Sequence, residues 1–279
     1  MPWTRADISQ PDTALLRCPR CRGKLDAFVG ALTCQTCTQR WPVDDDLPQL
    51  YQEEHVQGTD RLMRRIYNAL PELHDPITDH ILPWLQFDQV STREMRQRYI
   101  NRMKLHSLNN DNGTVRILEV GVGGGANLPM LDAALPPGLD VELWGLDLSA
   151  GMLRQCAQRL RPGGRPTRLL VGDVHALPFA DATFDRVFHV GATGSFRDPG
   201  GALAEMARVA RPGTPIVVVD EQLDAQRKNR LHHKALFKLL TFYDADPHSP
   251  SELLPHNAEV LSEEQISRFY YSLAFAVAA

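Results

Sequence analysis

Nowhere do the 279 residues hold an apolar run long enough to cross a membrane, and the closing Leu273–Ala279 is far too short. The opening MPWTRADISQPDT has no basic stretch followed by an apolar one, so no secretory signal is expected and a cytoplasmic location is. Positive charge is not in excess either. Lys and Arg total 30 against 34 Asp and Glu, a formal net charge of −4, which disfavours nucleic acid unless a basic patch is hidden in the average. Aromatic residues make up only 7%, and beyond residue 40 the sole cysteine is Cys156. What is present is ordinary. With 43% hydrophobic residues the chain can bury a core, as two domains or as one with an appendage.

The other four cysteines form two pairs, Cys18-Pro-Arg-Cys21 and Cys34-Gln-Thr-Cys37. Two such knuckles joined by a hairpin over Arg22 to Thr33 suit four thiolates on one tetrahedral Zn²⁺, and leave no open position for catalysis. Disulfides would need an oxidising compartment. A segment this short buries little core, so the metal would stabilise it directly. The phrase Trp41-Pro42-Val43, the acids Asp44 to Asp46 and then Leu47-Pro48 follow. Together with the cysteines they resemble the small zinc-ribbon protein that activates several tRNA and rRNA methyltransferases. Asp46 stands where that family has glycine. The resemblance implies a ribbon that meets a protein partner or the chain itself.

Residues 1–52 are therefore expected to be a β-rich zinc ribbon and residues 53–112 a helical cover. Apolar residues at Leu62, Met63, Ile66, Tyr67 and Leu70 follow a helical period, and Ile77–Leu85 and Thr92–Leu105 are read as further helices. Arg93, Arg96, Arg98, Arg102 and Lys104 read as a solvated face. From residue 113 to 279 strands alternate with helices. Val115–Val120, Val141–Leu146, Arg168–Val171, Arg186–Val190 and Ile216–Val219 are strand candidates, with Phe269–Val277 closing an edge. Helices are expected over Gly125–Leu135, Gly151–Leu160 and Gly200–Ala210. This is an α/β pattern: a Rossmann-like, mainly parallel seven-stranded sheet with helices on both faces.

The sharpest motif is Glu119-Val-Gly121-Val-Gly123-Gly-Gly125 between the first of these strands and its helix. Such a loop lets backbone approach a ligand and turns free amides toward it. Asp147 ends the next strand, where a carboxylate suits ribose hydroxyls of any adenosine-containing molecule. Then come Gly172-Asp173-Val174-His175-Ala176-Leu177-Pro178-Phe179, Asp181-Ala-Thr-Phe-Asp185, Glu205-Met206-Ala207-Arg208-Val209 and Arg211-Pro212-Gly213. In this order they closely resemble class I S-adenosylmethionine-dependent methyltransferases, especially the ubiquinone and menaquinone biosynthesis branch. Val122, Gly124 and Thr214 depart from its usual residues without removing a carboxylate.

That resemblance implies S-adenosylmethionine as methyl donor. Glu119, Gly121, Gly123 and Gly125 would surround its methionine part, Asp147 with Leu148 its ribose, and Asp173 with Val174 its adenine. His189 to Gly191 would lie by the methyl, with His189 the first candidate base. The acceptor is expected to be a small, partly hydrophobic molecule, framed by residues 61–106 and by a lid insertion over residues 221–261. The lid's Leu236, Phe237, Leu239, Leu240, Phe242 and Tyr243 suit such a site. His232, His233, His248 and His256 with Asp244 and Asp246 match no familiar metal spacing. Rival readings are an RNA base methyltransferase, disfavoured by the charge and by a ribbon ending in Cys34 and Cys37; arsenite methylation, which needs more cysteines; and a non-catalytic interaction module.

Overall fold

The computed structural model describes residues 3–5, 10–69, 71–72, 90–111, 113–161 and 163–278. The helix expected over Ile77–Leu85 lies outside them. The N-terminal region contributes β1 (Trp3–Arg5), α1 (Gln10–Thr13), β2 (Leu25–Phe28), β3 (Ala31–Cys34), β4 (Arg40–Asp44) and β5 (Leu47–Leu50). Among the described residues two cover helices follow, α2 (Gly58–Ala69) and α3 (Thr92–Arg102). The remainder alternates: β6 (Val115–Val120), α4 (Leu128–Ala134), β7 (Val141–Asp147), α5 (Ala150–Arg159), β8 (Arg165–Gly172), β9 (Arg186–Val190) and α6 (Pro199–Val209). It ends with β10 (Ile216–Glu221), α7 (Leu231–Leu240), β11 (Ala258–Gln265) and β12 (Tyr270–Val277).

Seven strands run in the order β8-β7-β6-β9-β10-β12-β11, the first five parallel and β12 antiparallel to both its neighbours. The parallel strands read as unbroken apolar runs because both their faces are covered. Phe269–Val277 was expected at the sheet's edge, but β11 lies outside it. That strand, AEVLSEEQ, is largely exposed and charged, as an outer edge tolerates, and so shows no apolar alternation.

The sheet also does not stop at seven strands. β5 pairs in parallel with the other edge, Gln49 opposite Val171 and Leu50 opposite Gly172. β1 takes the same edge of β8 lower down, from Trp3 opposite Arg165 to Arg5 opposite Thr167. The result is one twelve-stranded sheet in which the ribbon satisfies backbone groups that β8 would otherwise leave bare.

Packing repeats this continuity. Leu16, Leu25, Leu32, Trp41 and Leu50 share one buried cluster with Trp144, Phe179, Phe184 and Leu203. Trp144 is wholly buried and meets Phe179 and Phe184 edge-on, with ring centroids 5.5 and 6.4 Å away. The opposite face is filled by Ile117, Leu143, Phe188 and Val219 with Tyr99, Ile100 and Met103 around α3. The arginines of α3 are more than a solvated face. Arg98 donates to the Ile266 carbonyl, and Arg102 donates to the Ser272 carbonyl and pairs with Glu264, which fastens α3 to the β11–β12 hairpin.

Candidate functional site

The ribbon's hairpin, β2 with β3, brings its two knuckles together. The four sulfurs lie within 4.8 Å of one another, Cys18 to Cys37 at 3.7 Å and Cys21 to Cys34 at 3.5 Å. A zinc with Zn–S bonds of about 2.3 Å requires tetrahedral edges of about 3.8 Å, so the set fits that ion. Burial pushes the Cys18 thiol up to about 12. Burial acts the same way on Cys34, but amide donors from Cys37 and Thr36, at 3.5 and 3.4 Å, outweigh it and bring the thiol down to about 7. Among the described residues this is the single group of three or more His, Cys, Asp or Glu arranged to hold a metal.

The glycine loop leaves β6 at the carboxyl end of the sheet. Gly121, Gly123 and Gly125 all adopt positive φ, +68°, +53° and +77°. At Gly125 a Cβ would also come within 2.9 Å of Cys156 Sγ and Leu128 Cδ1, so only glycine fits. Asp147 closes β7 beside the loop and accepts the Gly123 amide at 2.9 Å and the Ser149 amide at 2.8 Å. Glu119 is buried at the end of β6, and burial raises its carboxyl to about 8 despite the Asn127 amide at 2.6 Å on Oε1. Its Oε2 has no hydrogen-bond partner.

Asp173 behaves differently. Its carboxylate accepts the His175 amide and Nδ1 at 2.9 and 2.7 Å, and Arg197 at 2.8 Å. Burial would raise this acid, yet those donors hold it at about 2. Arg197 reaches on to Asp60 of α2, so an Asp60–Arg197–Asp173 chain pins the cover to the sheet. Neither Asp60 nor Arg197 belongs to a motif, since their pairing spans 137 residues. A second pin is Asn68, whose Oδ1 receives Ser149 Oγ and the Gly151 amide at the start of α5.

His189 is 1% exposed, on β9 beneath the loop. Its Nδ1 lies 2.8 Å from the Val120 carbonyl, which can only accept, so Nδ1 carries the proton and Nε2 is a bare lone pair. Burial lowers its pKa and keeps the ring neutral. Gly191 follows at φ +55°. The next strand, β10, ends in Asp220 and Glu221, a pair the motif reading missed although two acids close the apolar run Ile216–Val219. Asp220 accepts the Gly194 amide at 2.9 Å, and Glu221 accepts the Tyr243 hydroxyl at 3.0 Å. Burial and the neighbouring Asp220 push Glu221 well above the usual carboxylate range. Tyr67 of α2 lies in the field of Glu221, Asp147 and Asp220, and burial foremost raises its hydroxyl too. α2 and the segment after β10 thus both reach the carboxyl ends of the strands.

Leu148 lines a cavity of about 490 Å³ with Ala150 and Val171. Its other walls are Gln49 and Tyr51 from the ribbon's end and Arg64, Arg65, Asn68 and Ala69 from α2. Ribbon, cover and sheet therefore meet beside the acidic end of β7.

Residues 118–218 match the family described as a methyltransferase domain. Over 106 residues the chain is 42% identical to a demethylmenaquinone methyltransferase of Renibacterium salmoninarum, covering 38% of this chain and 40% of that one. Over 98 residues it is 39% identical to a malonyl-[acyl-carrier protein] O-methyltransferase of Methylococcus capsulatus, covering 35% and 34%. The chain thus spans well under half the length of these curated relatives. In fold it resembles a chain from the complex of the Haloferax volcanii Trm112 methyltransferase activator with a methyltransferase. The TM-score is 0.56 at 15% identity, over 77% of this chain and 97% of that one. The glycine loop, Asp147, Asp173 and β9 all fall inside the segment that matches the methyltransferase domain family.

Proposed function

We propose that the protein transfers a methyl group from S-adenosylmethionine to a small, partly hydrophobic acceptor. The observation that carries this reading is the placement of three positive-φ glycines at the end of β6 next to Asp147 at the end of β7. The donor's chemistry also fits what is left over. Glu119 Oε2 is a buried acceptor without a donor, as an ammonium group would supply. The glycine loop and Glu119 would surround the methionine part, with the Gly121, Gly123 and Gly125 amides already given to Leu146, Asp147 and Val122; Asp147 and Leu148 would hold the ribose, and Asp173 and Val174 the adenine edge. Asp173 would act there mainly through Val174, since its own carboxylate already serves His175 and Arg197.

Bound S-adenosylmethionine supplies a methyl group already activated on sulfur. The chain's part is then to orient the acceptor and exclude water. His189 Nε2 would receive a hydrogen bond from the acceptor, near the exposed Gly191, while α2 and the lid would cover the strand ends. We take residues 1–52 as ribbon, 53–112 as cover and 113–279 as the catalytic unit with its lid over 221–261. The ribbon's zinc is structural, and its partner surface is the β8 edge of the same chain. No helix among the described residues is long and apolar enough to cross a membrane, which accords with a cytoplasmic enzyme. Calorimetry with S-adenosylhomocysteine tests the reading. Binding that Asp147→Ala weakens at least tenfold is the expected result, and no binding by the wild type would overturn it.

A further inference from the structure

The carboxyl end of β10 gathers acidic side chains, and the hydroxyls near them, Tyr243 on Glu221 and Tyr271 in the field of Asp220, carry no positive charge. Asp220 is 4% exposed, and Glu221 beside it lies next to the lid's Tyr243. Asp244 closes in from the lid: a Cβ on Gly194 would lie 2.2 Å from its Oδ2, while the Gly194 amide donates to Asp220. Asp220 and Asp244 thus meet at one backbone turn, and Glu221 follows Asp220 in the chain. No lysine or arginine among the described residues pairs with any of them. Residues 73–89, the longest stretch outside the described set, contain neither lysine nor arginine.

A second observation points the same way. His189 Nε2 is a buried, unpartnered lone pair, and the ring sits in the field of Asp220. Buried acceptors normally have donors, and uncompensated carboxylates repel one another. What would satisfy three carboxylates and a bare imidazole nitrogen together is a cation with several N–H bonds. The titratable groups facing this place are Asp147 from β7, His189 from β9, Asp220 and Glu221 from β10, Tyr67 from α2, Tyr243 and Asp244 from the lid, and Tyr271 from β12. All are acids or neutral. An aromatic ring also lies close by, Phe196 at 4.9 Å from the His189 ring.

Resting on the methyl-transfer reading above, we propose that the acceptor is an aliphatic or arylalkyl amine, held as its ammonium by Asp220, Glu221 and Asp244. His189 Nε2 takes one of its N–H bonds. Glu221 accepts a proton from the ammonium, which leaves the nitrogen with a lone pair. That pair forms the new N–CH₃ bond as the C–S bond breaks, its electrons passing to sulfur. The product leaves as a methylated ammonium. Burial and Asp220 hold the Glu221 pKa well up, so the free protein carries it protonated; the arriving ammonium displaces that proton to solvent, and the ionised Glu221 is then a better proton acceptor than an ordinary carboxylate. This assigns to Glu221 the base role that the sequence suggested for His189.

The test measures binding apart from turnover. Full-length protein saturated with S-adenosylhomocysteine is titrated calorimetrically with benzylamine, phenethylamine and 1,5-diaminopentane. The matched probes are benzyl alcohol, 2-phenylethanol and 1,5-pentanediol. At least one amine should bind ten times or more tightly than its alcohol. Glu221→Gln and Asp244→Asn should each reduce that preference at least fivefold, while affinity for S-adenosylhomocysteine stays within twofold of wild type. With S-adenosylmethionine present, the preferred amine should gain one methyl group by mass spectrometry. Equal binding of every amine and its alcohol, or an amine preference untouched by Glu221→Gln, overturns the proposal. Failure of the wild type to bind S-adenosylhomocysteine would instead overturn the methyl-transfer reading beneath it.

Discussion

The ribbon and the seven-stranded unit reach order by opposite means. Between Leu16 and Leu50 the chain has short strands, four turn residues with positive φ outside glycine (Arg22, Thr38, Asp45 and Asp46), and four sulfurs gathered within 4.8 Å. The sheet from β6 to β12 has no metal cluster among its described residues and two broad apolar faces. Yet the ribbon's leucines and Trp41 are buried in the same cluster as the sheet's Trp144. A metal-dependent piece and an apolar one therefore share an interior, and damage to one should be felt in the other.

The largest expected effect comes from breaking the metal side. Cys34→Ser, or a strong zinc chelator, should cost more than about 4 kcal/mol of stability, since loss of a metal is among the few changes of that size. It should also weaken binding of S-adenosylhomocysteine, because Gln49 and Tyr51 line the cavity beside Leu148. Thermal unfolding and calorimetry read the two effects, and an unchanged ligand affinity would show that the pieces are stapled but not coupled. Next is the pin between cover and sheet. Arg197→Met leaves Asp60 and Asp173 buried without their shared cation and should cost about 3 kcal/mol in denaturant unfolding.

Acid probes the same pin more gently. Asp173 is held at about 2 against 3.8 for a free aspartate, so its contribution is complete above pH 4 and disappears as pH falls toward 2. The loss should be about 2 kcal/mol, and Asp173→Asn should flatten that part of the stability profile. Asp147→Ala, at a strand end, should lower donor affinity at least tenfold, or about 1.4 kcal/mol, with little change in melting temperature. The smallest signal is one proton. Glu119, raised to about 8, is protonated in the free protein at pH 7, and an ammonium against its bare Oε2 should expel that proton. Binding heats for S-adenosylmethionine should then differ between phosphate and Tris buffers, and identical heats would remove Glu119 as the ammonium's partner.

Local pattern made one half of this molecule readable. Val115–Val120 and Arg186–Val190 were expected as strands with the bounds they have, because strands buried on both faces show as continuous apolar runs. The cysteine knuckles and the glycine loop were readable for the same reason: each is a short segment whose chemistry is contained in its own spacing. The β5–β8 pairing was not, since two residues of parallel register joined across some 120 positions leave no mark in either strand. Nor was the Asp60–Arg197 bond, or the engagement of Asp173, because an ion pair between distant segments has no period. The acids at Asp220 and Glu221 were visible as residues. Only the lid folding back, with Asp244 against Gly194 and Tyr243 on Glu221, gives them a purpose.

The joint at β8 also sets an order of events during synthesis. The hairpin pairings β2–β3 and β3–β4 are local, so with zinc they can form soon after residue 50 has emerged, while β8 follows more than 100 residues later. Through that interval β5 offers an open edge, the kind of surface that recruits a second chain. Its brevity, four residues with Pro48 among them, limits the danger. When β8 does arrive it is tethered to its partner at a high effective concentration, so ribbon and sheet meet one to one and dilution cannot part them.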